Sequence, residues 1–172
     1  MRTIRTSGPR TRYELRNALQ GLFVAELVYP SEEIFIITPW ISDVEIIDNQ
    51  AKTFSGIEND LPFGKIRLST VLMRIMQRGG DITIATRPGH HNETFTKLLT
   101  NKALIEHVNK KLNVAFASEL HEKGILTSSI YMSGSMNLTH NGLNKLEEKV
   151  TLTRDKSEIT RTRTEFVDRW KN

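Results

Sequence analysis

Residues Leu120 to Leu143 read LHEKGILTSSIYMSGSMNLTHNGL, and this stretch decides the fold, because polar residues capable of chemistry alternate there with strand-forming apolar ones. In extended backbone successive side chains point to opposite faces, so His121 and Lys123 share one face and Glu122 takes the other. An imidazole beside an ammonium suits an anion. The segments Gly124-Ile125-Leu126-Thr127 and Ile130-Tyr131-Met132 predict a β-hairpin turning at Ser128-Ser129. Its second arm ends at Ser133-Gly134-Ser135, where a glycine lets another backbone or a ligand approach closely. Ser135 and Asn137 can then aim hydrogen bonds at one point.

Downstream, Glu147 to Leu152 predicts a strand on which Glu148, Val150 and Leu152 share a face. A carboxylate on an apolar face costs on the order of several kcal/mol unless a donor or cation meets it, and an imidazole would serve. Asp155 and Glu158 then cap a final helix with Ile159, Phe166 and Trp170 inward and Arg161, Arg163 and Arg169 toward solvent.

Upstream, residues 1–12 carry Arg2, Arg5, Arg10 and Arg12 around Ser7-Gly8-Pro9 with no acidic residue. They predict a basic N-terminal arm, solvated and partly disordered, with phosphate contact as the alternative; residues 13–172 form a single domain. Thr11 and Glu14 make a capping box for a helix through Leu15, Leu19, Leu22 and Phe23 that stops before Pro30. Glu33 to Thr38 is a nearly continuous apolar run, the pattern of a strand covered on both faces. From Trp40 to Gly64 periodicity is lost, which predicts a long loop with at most a turn of helix, and Thr38-Pro39-Trp40 lies where ligands gather in α/β sheets. Ser69 to Gln77 predicts a second helix closed by Arg78-Gly79-Gly80, and Asp81 to Thr86 a second strand. Arg87 to Asn92 reads as a loop, in which adjacent His90 and His91 lack metal-ligand spacing. A third helix follows to about Lys111, then a strand over Asn113 to Ala117. Strands and helices in this succession predict an α/β sandwich.

The bulk numbers agree with one globular domain: 172 residues, 38% apolar and 26% charged. A net charge of +4 is compatible with a polyanionic partner. The absence of cysteine excludes disulfides, thiolate metal sites and cysteine nucleophiles. No apolar run approaches the ~20 residues that span a bilayer, so a soluble, cytoplasmic protein without membrane contact is expected.

The opening stretch resembles the phospholipase D superfamily, whose HKD motif is HxKxxxxD followed by GSxN or GSxxN. Here it stands as His121-Glu122-Lys123 and Gly134-Ser135-Met136-Asn137. Two departures accompany it: Ser128 occupies the Asp position, and the spacer to Gly134 is one residue short. The resemblance implies an α-β-α sandwich with a mixed, mostly parallel central sheet. It also implies a metal-independent phosphodiesterase, without cofactor, in which His121 is the nucleophile, Lys123 and Asn137 hold the phosphate, Ser135 assists and Glu148 orients the histidine. Gly134, Arg87 and Trp40 are the expected substrate-binding positions. Because the chemistry uses two histidines and the chain has one motif, the resemblance further implies a homodimer sharing the site. Short single-motif members are typically nucleases, which makes DNA the favoured substrate. The wording HEKGIL and GSMNLTHNGL resembles DpdK-type proteins of bacterial deazapurine DNA-modification and defence loci, where a helicase or ATPase could be a partner. The alternatives are a catalytically silent nucleic-acid-binding subunit of a larger defence or restriction complex, and a lipid-cleaving phospholipase.

Overall fold

A computed structural model describes residues 1–54, 56 and 61–171. In chain order the elements are β1 (Arg2–Arg5), α1 (Pro9–Val28), β2 (Glu33–Ile37), β3 (Glu45–Asn49), β4 (Gly64–Arg67), α2 (Leu68–Gln77), β5 (Asp81–Thr86), α3 (His90–Ile105), β6 (Leu112–Phe116), β7 (Gly124–Leu126), β8 (Tyr131–Gly134), α4 (His140–Asn144), β9 (Lys149–Thr153) and α5 (Lys156–Trp170). Seven strands form one sheet in the order β1-β9-β8-β7-β2-β5-β6.

Helices cover both faces, as expected for an α-β-α sandwich. Ile34, Ile36, Ile82 and Ile84 point toward α1, α2 and α3, packing with Leu15, Leu22, Phe23, Leu72, Ile75, Phe95 and Leu99. Phe35, Ile37, Ala85 and Leu126 point the other way, onto Ile159, Phe166 and Trp170 of α5. The continuous apolar run of β2 is therefore explained: every one of its last four side chains is buried, on alternating sides.

The sheet is mixed, but the expected predominance of parallel pairing is corrected. Only β2–β5 and β5–β6 are parallel, whereas β2–β7, β7–β8, β8–β9 and β9–β1 are antiparallel. The reason lies in the connections. Parallel neighbours need a crossover helix, which α2 and α3 supply, while the β7–β8 hairpin can only pair antiparallel.

The arm reading is corrected as well. Residues 2–5 form an edge strand whose Ile4 is buried opposite Val150, and α1 begins at Pro9, where the Thr11 hydroxyl accepts from the Gly8 N–H at 3.2 Å and donates to the Gly8 carbonyl at 3.0 Å. The 40–64 loop is not structureless: Glu45–Asn49 and Gly64–Arg67 pair antiparallel as a small second sheet, while residues 55 and 57–60 of that expected loop lie outside the described residues. His90, His91 and Asn92 belong to the first turn of α3 rather than to a loop. Arg163 does not face solvent. It donates to the Glu33 carbonyl at 3.2 Å and lies over the Phe35 ring. Among the described residues no helix is long and apolar enough to cross a membrane.

Candidate active site

The hairpin β7–β8 sets the two motif segments side by side. Gly124 pairs with Ser133, and the Gly134 N–H donates to the Lys123 carbonyl at 3.2 Å, which extends the ladder back toward the HxK segment. Gly134 has φ +154°, and a Cβ there would meet the Lys149 carbonyl oxygen at 2.1 Å. Only glycine allows β8 to run this close to β9. Past Asn137 the chain turns into α4, where the Gly142 N–H donates to the Thr139 side chain and a Cβ on Gly142 would strike the Asn137 carbonyl at 2.3 Å.

His121 is exposed, just ahead of β7. The Lys123 ammonium reaches back to the His121 carbonyl at 2.8 Å, which ties the lysine side chain to the histidine backbone. Arg87, at the end of β5, donates from Nε to the Leu120 carbonyl at 2.8 Å, and its Nη2 lies 3.2 Å from Nδ1 and 3.1 Å from Nε2 of His121. Near-equal distances to two nitrogens on either side of one ring carbon place the guanidinium over the imidazole face, since an in-plane approach would collide with that carbon. The lone pair of the neutral ring lies in its plane, so a guanidinium over the face does not consume it.

Asn137 is half-buried beside the end of β2, where its side-chain carbonyl lies 3.4 Å from the Thr38 hydroxyl. Its amide N–H groups donate to no acceptor among the described residues and are available to an anion. Lys123, Thr38 and Gly134 line one small cavity floored by Ile36, Met132 and Val150.

Glu148 sits immediately before β9 with 7% of its surface exposed. Its backbone is clamped by Thr6: the Thr6 N–H donates to the Glu148 carbonyl at 2.9 Å, and the Glu148 N–H to the Thr6 hydroxyl at 2.6 Å. The segment read as a free arm is thus a brace for this carboxylate. The donor that meets the carboxylate is the Ser135 hydroxyl. Ser135 also accepts from the Lys149 N–H at 2.9 Å, so its single O–H is committed to Glu148. Among the described residues Glu148 makes no hydrogen bond to His121.

Ser128, at the family's Asp position, donates its N–H to the Ser31 hydroxyl at 2.8 Å, and Ser31 in turn bonds the buried Glu26 through hydroxyl and N–H at 3.1 and 2.7 Å. A carboxylate from α1 therefore anchors the turn through a serine. Trp40 lies at the end of β2, 42% exposed, with its ring edge-on to His91. His91 is 2.9 Å from the Ser42 hydroxyl. Among the described residues no group of three or more histidine or carboxylate side chains could hold a metal ion.

One position that frames the site, Asn92, is not singled out by the sequence. Buried Asn92 donates to the carbonyls of Pro39 (2.8 Å) and Arg87 (2.9 Å) and accepts from the Ile41 N–H (2.9 Å), locking the ends of β2 and β5 together. A polar residue in a helix's first turn carries no signal that distinguishes this role from solvation.

The family described as "Cardiolipin synthase, PLD-like domain" matches residues 63–170, well over half of the chain, and the chain belongs to that phospholipase D-like family. The expectation of a phospholipase D-family phosphodiester hydrolase holds at that level. No curated protein matches. Among solved structures, the phospholipase D family member Nuc from Salmonella typhimurium is 14% identical with a TM-score of 0.59, covering 88% of this chain and 86% of Nuc. NucT from Helicobacter pylori is 13% identical with a TM-score of 0.56, covering 97% of this chain and 92% of NucT. TrmBL2, an archaeal chromatin protein with a novel mode of DNA binding, is 11% identical with a TM-score of 0.54; the match covers 99% of this chain but 52% of TrmBL2.

Proposed function

We propose that the chain is a metal-independent nuclease that cleaves DNA through a phosphohistidine, working as a homodimer whose two copies of His121 face one another. The observation that carries this reading is the arrangement around His121: an exposed imidazole whose in-plane ring nitrogens are left open, a guanidinium over its face, and the Lys123 ammonium and Asn137 amide on the adjoining segments. A phosphodiester offers two non-bridging oxygens to such cations and donors.

In the first step a nitrogen of His121 attacks phosphorus and the P–O bond to the leaving nucleoside breaks. The departing oxygen takes a proton from the partner's His121. Water then attacks the phosphohistidine, giving its proton to the partner's His121, and His121 leaves as the free imidazole. Lys123, Asn137 and Arg87 hold the non-bridging oxygens while charge shifts. Ser135 acts on Glu148, and this pair fixes the Gly134–Asn137 segment. If Glu148 orients His121, the contact forms only with substrate or partner in place, since apo geometry is often loose.

Three features support DNA over lipid: the positive net charge, the exposed Arg161 of α5 and the half-buried Arg87 at the site. The resemblance to DpdK-type proteins supports a cytoplasmic role in a bacterial modification or defence system, with a helicase or ATPase delivering substrate. The test incubates purified protein with plasmid, single-stranded DNA and phospholipid vesicles, each with and without EDTA. DNA cleavage that persists in EDTA and is lost in His121→Ala is the expected result. Headgroup release from lipid, or salt-sensitive DNA binding without cleavage, would replace it with the lipase or the silent-subunit reading.

A further inference from the structure

We propose that Trp40, braced by His91, is a stacking shelf for an unpaired nucleobase next to the scissile phosphate, so that the site takes single-stranded nucleic acid. The inference rests on the nuclease reading of the site and names its substrate class. Exposed aromatics are common and prove nothing by themselves. Trp40 differs from the other exposed rings in how firmly it is held.

Its carbonyl accepts from the Thr38 hydroxyl at 3.0 Å. The preceding Pro39 carbonyl accepts from Asn92 at 2.8 Å and from the Thr86 hydroxyl at 3.2 Å. The following Ile41 donates to Asn92 and bridges to Leu138. The backbone on both sides of the indole is thus fixed by buried partners, while the ring itself stays 42% exposed. The His91 ring meets it edge-on, with centroids 6.1 Å apart and planes at 74°, and Ser42 fixes that imidazole at 2.9 Å. Such bracing removes the ordering cost that a mobile aromatic would incur on binding.

The shelf also has the right neighbours. Thr38, which holds the Trp40 carbonyl, touches Asn137, and the Arg87 N–H points at the Pro39 carbonyl at 3.4 Å while its guanidinium covers His121. The backbone that carries the indole is therefore tied, through Thr38 on one side and through Pro39 and Arg87 on the other, to the residues of the phosphate site. A base within a duplex is already stacked on both faces, whereas an unpaired base can be splayed onto an aromatic ring without regard to its identity.

Two measurements test the proposal. Trp40 is the exposed one of two tryptophans, Trp170 being 7% exposed, so indole emission reports on it. Titration with oligo(dT) should quench that emission, and an abasic oligomer of equal length should not. In kinetics, the ratio of KM for the abasic oligomer to KM for oligo(dT) should be large in the wild type. Trp40→Ala should raise KM for oligo(dT) between about five- and a hundredfold with a far smaller change in kcat. The KM ratio should collapse toward one in Trp40→Ala and recover in Trp40→Phe. Equal quenching by both oligomers, quenching only by phosphatidylcholine vesicles, or an unchanged KM ratio in Trp40→Ala would overturn it. If the wild type cuts neither oligomer, the nuclease reading fails, and the quenching experiment still decides whether the shelf binds a base.

Discussion

Replacing Gly134 with alanine should damage this protein more than any other single methyl addition in the motif. A Cβ there would lie 2.1 Å from the Lys149 carbonyl oxygen and 2.9 Å from the Val150 Cα, both backbone atoms of the paired strand, and φ is +154°. The disfavoured backbone contributes about 1–3 kcal/mol. The forced separation of β8 from β9 adds about 1–3 kcal/mol. Together, about 2–6 kcal/mol is a large share of the ~5–15 kcal/mol that a domain holds, and at about 2–4 °C per kcal/mol for this size the melting point should fall by roughly 5–20 °C. Activity should fall further, because the Ser135 N–H to Lys149 carbonyl bond at 3.0 Å and the Ser135–Glu148 contact both depend on that spacing. Gly21→Ala is the control. It lies in α1 with nothing within 4 Å of the added carbon, so it should stabilise by about 0.5–1 kcal/mol. Thermal and urea unfolding of both variants gives the answer. A Gly134→Ala protein melting within about 2 °C of wild type would refute the packing argument.

Ser31→Ala should cost about 1–3 kcal/mol in urea unfolding, because it strands the Ser128 N–H and one oxygen of buried Glu26; exposed Ser129→Ala beside it should change stability by less than about 0.5 kcal/mol. Burial raises the Glu122 carboxyl above its usual 4.5, partly countered by Arg169 at 3.4 Å and reinforced by Glu165. A raised carboxyl favours folding when protonated, so its contribution is complete below pH 4.5 and is lost as pH rises through the folded value. Comparing wild type with Glu122→Gln between about pH 4 and pH 7, the wild type should lose ground steadily; parallel pH profiles would contradict this. Asp155 behaves oppositely. Its hydrogen bonds from Ser157 and the Glu158 N–H hold the carboxyl below 3.8, so Asp155→Ala should destabilise above that pH, with the difference vanishing as acid protonates the wild-type cap.

Much of this molecule was legible where the deciding interactions are local. The β7–β8 hairpin follows from two short β-prone runs on either side of Ser128-Ser129, and α5 from the Asp155–Glu158 cap and three inward apolar residues. What stayed hidden depends on distant pairing. Arg-Thr-Ile-Arg carries a single apolar residue and becomes a strand only because β9, near the other end of the chain, offers an edge that buries Ile4. Glu45–Asn49 is also short, and its partner Gly64–Arg67 carries only one apolar side chain. Alternation marked Glu148 as a buried carboxylate in need of a donor, but could not say that Ser135 would meet it first. The guanidinium of Arg87 over His121 joins the end of one strand to the approach of another. No pattern in either segment encodes that meeting. Ser128 illustrates the converse: the departure from the motif is plain in the sequence, whereas its accommodation by Ser31 and Glu26 needs the packed α1.

The central claim is that His121 bonds covalently to phosphorus. Uniformly labelled single-stranded DNA mixed with enzyme and quenched in alkali within the first turnovers should leave label on protein. That adduct should be stable to base, lost in acid, mapped to the peptide containing His121 and missing in His121→Ala. DNA cleavage that leaves no such adduct, or that continues in His121→Ala at the wild-type rate, would contradict the account.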